Sequence, residues 1–217
     1  MPNSIPKTKH LAIVGIHTEI GKTIASAVLV EALLADYWKP IQTGTIDQTD
    51  TTTVRNLVTN NKSVFYQEAY TFLEPVSPHK AAIMNNQEIQ LENIIPPLST
   101  NKFMVIETAG GIYTPINLTY TMADMVRNLA DGIVIVAAEY LGSINHTLLT
   151  IEAVQKIGIP IIAIVLCGIE DSYTIQYIEN QRVAPILVLP TMACVNKENI
   201  AIIANTWKNN PYFKEII

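Results

Sequence analysis

Gly15-Ile16-His17-Thr18-Glu19-Ile20-Gly21-Lys22-Thr23 follows the apolar run Leu11-Ala12-Ile13-Val14 and precedes a helical pattern. A strand, a glycine-bounded loop and a helix opening at Gly-Lys-Thr make a phosphate cradle, because glycines let backbone N–H groups approach phosphate oxygens closely. Lys22 is placed to reach the β- and γ-phosphates, and the Thr23 hydroxyl to ligate Mg²⁺. Five residues separate the glycines here, where the common spacing has four. A surface turn that happens to contain Gly-Lys-Thr is the plainer reading, and the flanking strand and amphipathic helix argue against it.

The rest of the chain supplies the context such a loop needs. Strands are expected at Leu11–Gly15, Tyr37–Gln42, Phe103–Glu107, Gly132–Ala138, Ile159–Leu166 and Pro185–Leu189. They are rich in Ile and Val and lack period-two alternation, the pattern of strands buried on both faces. Helices are expected at Gly21–Ala35, Thr49–Thr59, Gln87–Ile95, Thr121–Ala130, Ser143–Ile157, Ser172–Gln181 and Asn196–Trp207. Ser143 and Ser172 are placed as N-caps, and Gly158 as a helix stop. This alternation implies an α/β fold: three layers, α/β/α, around a mainly parallel sheet, in one domain spanning 1–217. Ser63–Asn86 is the least regular stretch and is expected to form a lid or a wall of the site.

In such folds ligands sit beyond the carboxyl ends of the strands, and three polar clusters fall there. The first is the loop itself. The second is Lys39-Pro40-Ile41-Gln42-Thr43-Gly44, followed by Asp50. The third is Glu107-Thr108-Ala109-Gly110-Gly111. Glu107 ends an apolar strand, where a carboxylate is costly unless paired or metal-bound. Asp50 and Glu107 with Thr23 would make a Mg²⁺ shell of hard oxygens, although Asp50 also reads as a helix N-terminal charge. Lys39 could neutralise a transferring phosphoryl group or be a solvated strand-end lysine. His79 and His146 read as structural.

With 49% hydrophobic residues the chain can bury a substantial core. Its net charge of −5 and lack of a basic cluster argue against nucleic acid. Its apolar runs are too short to span a bilayer, and Met1–His10 lacks the pattern of a secretory signal. Cys167 and Cys194 form no metal pattern and suggest reduced thiols in the cytoplasm.

Together these motifs resemble the dethiobiotin synthetase family, over about residues 10–190. The resemblance rests on Gly15–Thr23, Lys39–Gly44, Ser77-Pro78-His79, Glu107–Gly111 with Pro115 following, and Leu141-Gly142-Ser143-Ile144-Asn145-His146-Thr147-Leu148-Leu149-Thr150. It implies ATP-dependent closure of a cyclic urea from diaminopelargonate and CO₂, through a carbamate and a carbamic–phosphoric anhydride. By that mapping Glu19, Ile20, Gly21, Lys22, Thr23, Ile24, Asp50, Glu107, Thr108, Ala109 and Gly110 hold ATP. Thr23, Asp50 and Glu107 bind Mg²⁺, and Lys39 is catalytic. Thr18, Thr43 and Gly111 line the substrate pocket. Ser143, Ile144 and Asn145 would contact the substrate's carboxylate end from the partner subunit of a homodimer. His17 stands where the family has an aspartate, and Thr108 where it has a glycine. Cys167 stands where an asparagine reads the base, and a thiol lacks an amide's paired donor and acceptor. Two other classes remain open: a partition-type switch ATPase, which usually carries a second lysine where Ile16 and His17 stand, and a binding relative that no longer turns over.

Overall fold

The structure, a computed structural model, describes residues 7–44 and 48–216; residues 1–6 of the Met1–His10 stretch lie outside it. Its frame is a six-stranded sheet in the order β2-β5-β1-β6-β7-β8, with every neighbouring pair parallel. The strands are β1 (Lys9–Gly15), β2 (Asp36–Trp38), β5 (Phe103–Gly111), β6 (Gly132–Ala138), β7 (Ile161–Cys167) and β8 (Ile186–Leu189).

The missing alternation has a direct cause. Leu11 and Ile13 of β1 pack into one core with Val28 and Leu29 of helix α1 (Lys22–Leu33) and Ile200 and Trp207 of α7 (Lys197–Asn209). Ala12 and Val14 face the opposite core, with Val126 of α4 (Met122–Leu129), Val154 of α5 (Ser143–Ile157) and Ile178 of α6 (Ser172–Glu179). A strand covered by helices on both faces has no polar side to alternate. The three layers follow from that double burial.

The expected strand Tyr37–Gln42 is two strands. β2 ends at Trp38, and the chain leaves the main sheet at Lys39-Pro40. β3 (Ile41–Thr43) then pairs in parallel with β4 (Tyr70–Phe72) in a separate two-stranded sheet. Pro40 has no N–H to give a ladder; its carbonyl instead accepts from the amides of Ala69 and Tyr70. The irregular stretch 63–86 holds β4 and a short α3 (Pro78–Met84), and Pro75 to Pro78 form part of a cleft wall.

Other boundaries also need correction. The expected helix Gln87–Ile95 shrinks to one 3₁₀ turn, Leu91–Asn93. The Gln90 amide is taken by the Tyr70 hydroxyl at 3.1 Å, and Pro96-Pro97 disfavour helical backbone just beyond. Neither serine is a cap: Gly142 (φ +98°) precedes α5, and the Asp171 carboxylate caps α6 by accepting from the amides of Tyr173 and Thr174. Gly158 does end α5, in the left-handed region at φ +82°. α2 (Asp50–Leu57) starts from a Thr49 cap, and α8 (Pro211–Ile216), absent from the expectation, packs Phe213 against Trp207.

One buried carboxylate ties the irregular segments to the frame. Asp36, 1% exposed at the start of β2, accepts from the Val64 amide at 2.7 Å, the Asn101 side chain at 2.6 Å and the Ser99 hydroxyl. Asp36→Ala leaves those donors without their acceptor. Chemical denaturation is expected to show a loss of at least about 2 kcal/mol; an unchanged midpoint would contradict this.

Candidate active site

The carboxyl ends of β1, β2 and β5 converge on a cleft of about 720 Å³. Its base is the loop between β1 and α1. Gly15 is small for a reason: a Cβ there would stand 2.7 Å from the His17 carbonyl and 3.0 Å from the Lys22 chain. Gly21 turns the chain into α1 at φ +91°, a conformation that side-chain-bearing residues rarely adopt. No side chain caps that helix, so its N-terminal N–H groups and dipole face the cleft.

Above the helix start lies a buried ionic cluster. Lys39, delivered by the chain's exit from the sheet before Pro40, is only 5% exposed. Its ammonium donates to Asp50 and, at 3.2 Å, to Glu107 Oε1. The Thr23 hydroxyl lies 2.6 Å from Asp50 Oδ1 and 3.0 Å from Glu107 Oε1. Glu107 Oε2 accepts from the Ser26 and Tyr37 hydroxyls, each at 2.9 Å. The Asp50 amide donates to Gln42 Oε1 at 3.1 Å, so Asp50 opens α2 and also belongs to the cluster. The solvated-lysine reading of Lys39 therefore fails.

The electrostatics follow from this geometry. Burial alone would lower the Lys39 pKa, but the Glu107 and Asp50 carboxylates outweigh it and hold the ammonium above its ordinary value. Burial opposes ionisation of Asp50 as well; the Lys39 charge and its hydrogen bond pull that carboxyl below its usual range. Burial pushes the Tyr37 phenol up, reinforced by the Glu107 charge, so it stays a donor. Lys22 differs. Burial lowers it to about 8, only partly offset by Glu107, and its ammonium donates to the His17 carbonyl at 3.1 Å.

Of the residues expected here, Thr18, Glu19, Ile20, Gly21, Lys22, Thr23, Ile24, Lys39, Thr43, Asp50, Glu107, Ala109 and Gly110 all line the cleft. Gly111 lines a neighbouring depression instead. Thr108 does not reach the cleft: fully buried, it donates to the Ile13 carbonyl at 2.8 Å and stitches β5 to β1. Strand alternation turns it away from Glu107. Ser143, Ile144 and Asn145 open α5 outside both cavities. Sequence reasoning missed Ser26 and Tyr37, the donors to Glu107, because both sit inside apolar runs. Gln42 lies within the Lys39–Gly44 motif, and its contact with the Asp50 amide appears only once β3 and α2 are folded together. Cys167 packs under the loop: a Cβ on Gly21 would meet its sulfur at 3.0 Å. Burial pushes that thiol to about 12, partly countered by Lys22.

The Asp50 and Glu107 carboxylates share the Lys39 ammonium, and the Thr23 hydroxyl lies against both of them. Hard oxygens in this arrangement suit Mg²⁺, which favours a few carboxylate or hydroxyl ligands alongside phosphate and water.

Comparison with known proteins fixes the family. An ATP-dependent dethiobiotin synthetase of Christiangramia forsetii is 39% identical over 209 residues, covering 96% of this chain and 92% of the relative. The chain belongs to the dethiobiotin synthetase family. The synthetase of Chlamydia pneumoniae is 35% identical over 92% of this chain and 90% of that protein. A family model described as an AAA domain matches residues 9–199 of this synthetase-family chain. Among solved structures, a plasmid partition protein from Borrelia burgdorferi superposes with a TM-score of 0.56 at 13% identity, covering 97% of this chain and 100% of that one. The pNOB8 ParA structure bound to nonspecific DNA gives 0.52 at 14%, over 97% of each chain. Those two share the fold with the synthetase family.

Lys22 yields a pH prediction. With a pKa near 8 in the free protein, it is mostly neutral at pH 9, and a triphosphate favours its charged form. Nucleotide binding at pH 9 should therefore take up protons, and affinity should fall as pH rises through 8. Titration calorimetry in buffers of different ionisation enthalpy measures the uptake; zero uptake at pH 9 would refute it.

Proposed function

We propose that this protein is an ATP-dependent dethiobiotin synthetase, a ligase that closes the cyclic urea of dethiobiotin from 7,8-diaminopelargonate, CO₂ and ATP. The observation that carries the mechanism is the buried Lys39 ammonium between Asp50 and Glu107, directly over the start of α1. Phosphoryl transfer needs positioning and charge stabilisation more than a protein nucleophile, and this cleft offers charges held in place before reaction.

In the proposed sequence, one amine of the diamine captures CO₂ as a carbamate. A carbamate oxygen attacks the γ-phosphorus, its bond to the β,γ-bridging oxygen breaks, and ADP leaves. The second amine then attacks the carbamyl carbon and a C–N bond forms. The C–O bond to the phosphoryl oxygen breaks, and phosphate departs with that oxygen and with the proton the amine gives up. The N–H groups at the start of α1, with Lys22, hold the phosphate chain. Lys39 faces the carbamate and the transferring phosphoryl group, where charge builds in the transition state. Ser26 and Tyr37 hold the Glu107 side chain in place by donating to its Oε2. Mg²⁺ held by Thr23, Asp50 and Glu107 would neutralise phosphate charge beside them. Thr18 and Thr43 contact the amines or carbamate.

The protein is proposed to act in the cytoplasm without nucleic acid or membrane; among the described residues no helix is long and apolar enough to cross a membrane, and the chain is acidic. It is proposed to be a homodimer, so that Ser143, Ile144 and Asn145 of one copy face the substrate of the other. Exposed Tyr113, Leu141 and Leu149 offer an apolar surface near that region. An active monomer in sedimentation velocity would remove this part of the proposal.

The deciding assay supplies diaminopelargonate, bicarbonate and Mg·ATP and looks for dethiobiotin by mass spectrometry. A protein that hydrolyses ATP without the diamine would be a switch ATPase. In the same assay Lys39→Ala should lower kcat by about a hundredfold or more, the scale of losing one fixed charge-stabilising donor. Turnover near that of the wild type would refute the role of Lys39.

A further inference from the structure

His17, Tyr140 and His146 form a row of side chains beside the phosphate cleft. His17 Nδ1 lies 3.0 Å from the Thr18 carbonyl oxygen. A carbonyl only accepts, so Nδ1 carries the proton and Nε2 keeps its lone pair. The Thr18 hydroxyl lies 3.2 Å from the same Nδ1. The imidazole meets Tyr140 edge-on, with ring centroids 6.0 Å apart. The Tyr140 hydroxyl in turn lies 2.8 Å from His146 Nδ1. The loop imidazole is thus braced against the turn between β6 and α5.

His17 and His146 both line an apolar-floored depression of about 580 Å³. Thr18 and Thr114 line this depression and the phosphate cleft alike. The imidazole therefore stands on the rim where an acceptor lying in the depression would enter the cleft.

We propose that His17 is a catalytic base for carbamate formation. This rests on the function proposed above and adds a residue to it. As the amine lone pair forms the N–C bond to CO₂, one C=O electron pair moves to oxygen. An N–H bond then breaks, its electron pair stays on nitrogen, and its proton passes to His17 Nε2. The products are a carbamate and an imidazolium, and exposed His17 returns the proton to water. Nearby groups are poorer acceptors. Lys22 is held on the His17 carbonyl, and Asp50 and Glu107 are engaged by Lys39 and Thr23. His146 lies behind Tyr140 in the row, its Nδ1 paired with that hydroxyl, whereas His17 stands against Thr18 at the rim. Across the depression, α5 presents Glu152 and Lys156, and neither borders the phosphate cleft. Tyr140 is a positioning residue: its ring fixes the imidazole plane.

The test compares wild type with His17→Gln, which keeps a hydrogen-bonding side chain but cannot take the proton. His17 is exposed, so the fold should survive, and a thermal melt checks this. Two readouts are followed: ¹³C-carbamate formation from labelled CO₂ without ATP, and kcat/KM for the diamine. Both should fall by about a hundredfold, the scale of losing a positioned general base, while KM for ATP stays unchanged. Added imidazole should restore part of the rate in His17→Ala. Equal carbamate formation and kcat/KM in wild type and His17→Gln overturn this inference and leave the synthetase reading intact. A wild-type protein that makes no dethiobiotin at all overturns both.

Discussion

A lysine ammonium taken almost wholly out of water, between two carboxylates, is the constraint from which the site is built. Lys39 reaches that place because Pro40 forces the chain out of the main sheet just after β2. Removing one member of such a buried pair costs about 3–5 kcal/mol, since its partner is left charged and unpaired. The protein therefore holds all of them: Asp50 through Thr23 and the helix it opens, and Glu107 through Ser26 and Tyr37. Lys22 and Lys39 balance Asp50 and Glu107 at the centre of the cleft, and Glu19 adds one further carboxylate to its lining. A triphosphate entering the cleft meets no large unbalanced field, and the positive groups are already aimed.

The same sites were legible in the sequence to different degrees. The phosphate loop was readable because it sits between a strand and a helix, and both cores confirm why the strands show no alternation. Glu107 stands out in the sequence because a carboxylate at the end of an apolar strand needs a reason. Its donors do not, because Ser26 and Tyr37 look like core positions until the helix and strand are brought together. Pro40 was visible, but the apolar residues around it read as one strand; the missing N–H decides otherwise. Gln87–Ile95 carried apolar spacing that suits a helix, and the Tyr70 hydroxyl and a downstream Pro-Pro pair won against it. Local spacing cannot register a partner brought from a distant segment.

The family match and the geometry bear on different questions. Sequence identity over most of the chain assigns the family, while the partition proteins share only the architecture. Within that architecture this chain arranges its acidic groups, its lysines and the rim imidazole around one loop.

The contact between Gly21 and Cys167 carries a further consequence. The loop rests on the sulfur so closely that the two positions share one small volume. A bulkier group at 167 crowds the turn that presents Lys22. Position 167 and the turn that presents Lys22 are therefore mechanically linked in this scaffold, and redesigning one means resculpting the floor beneath the other.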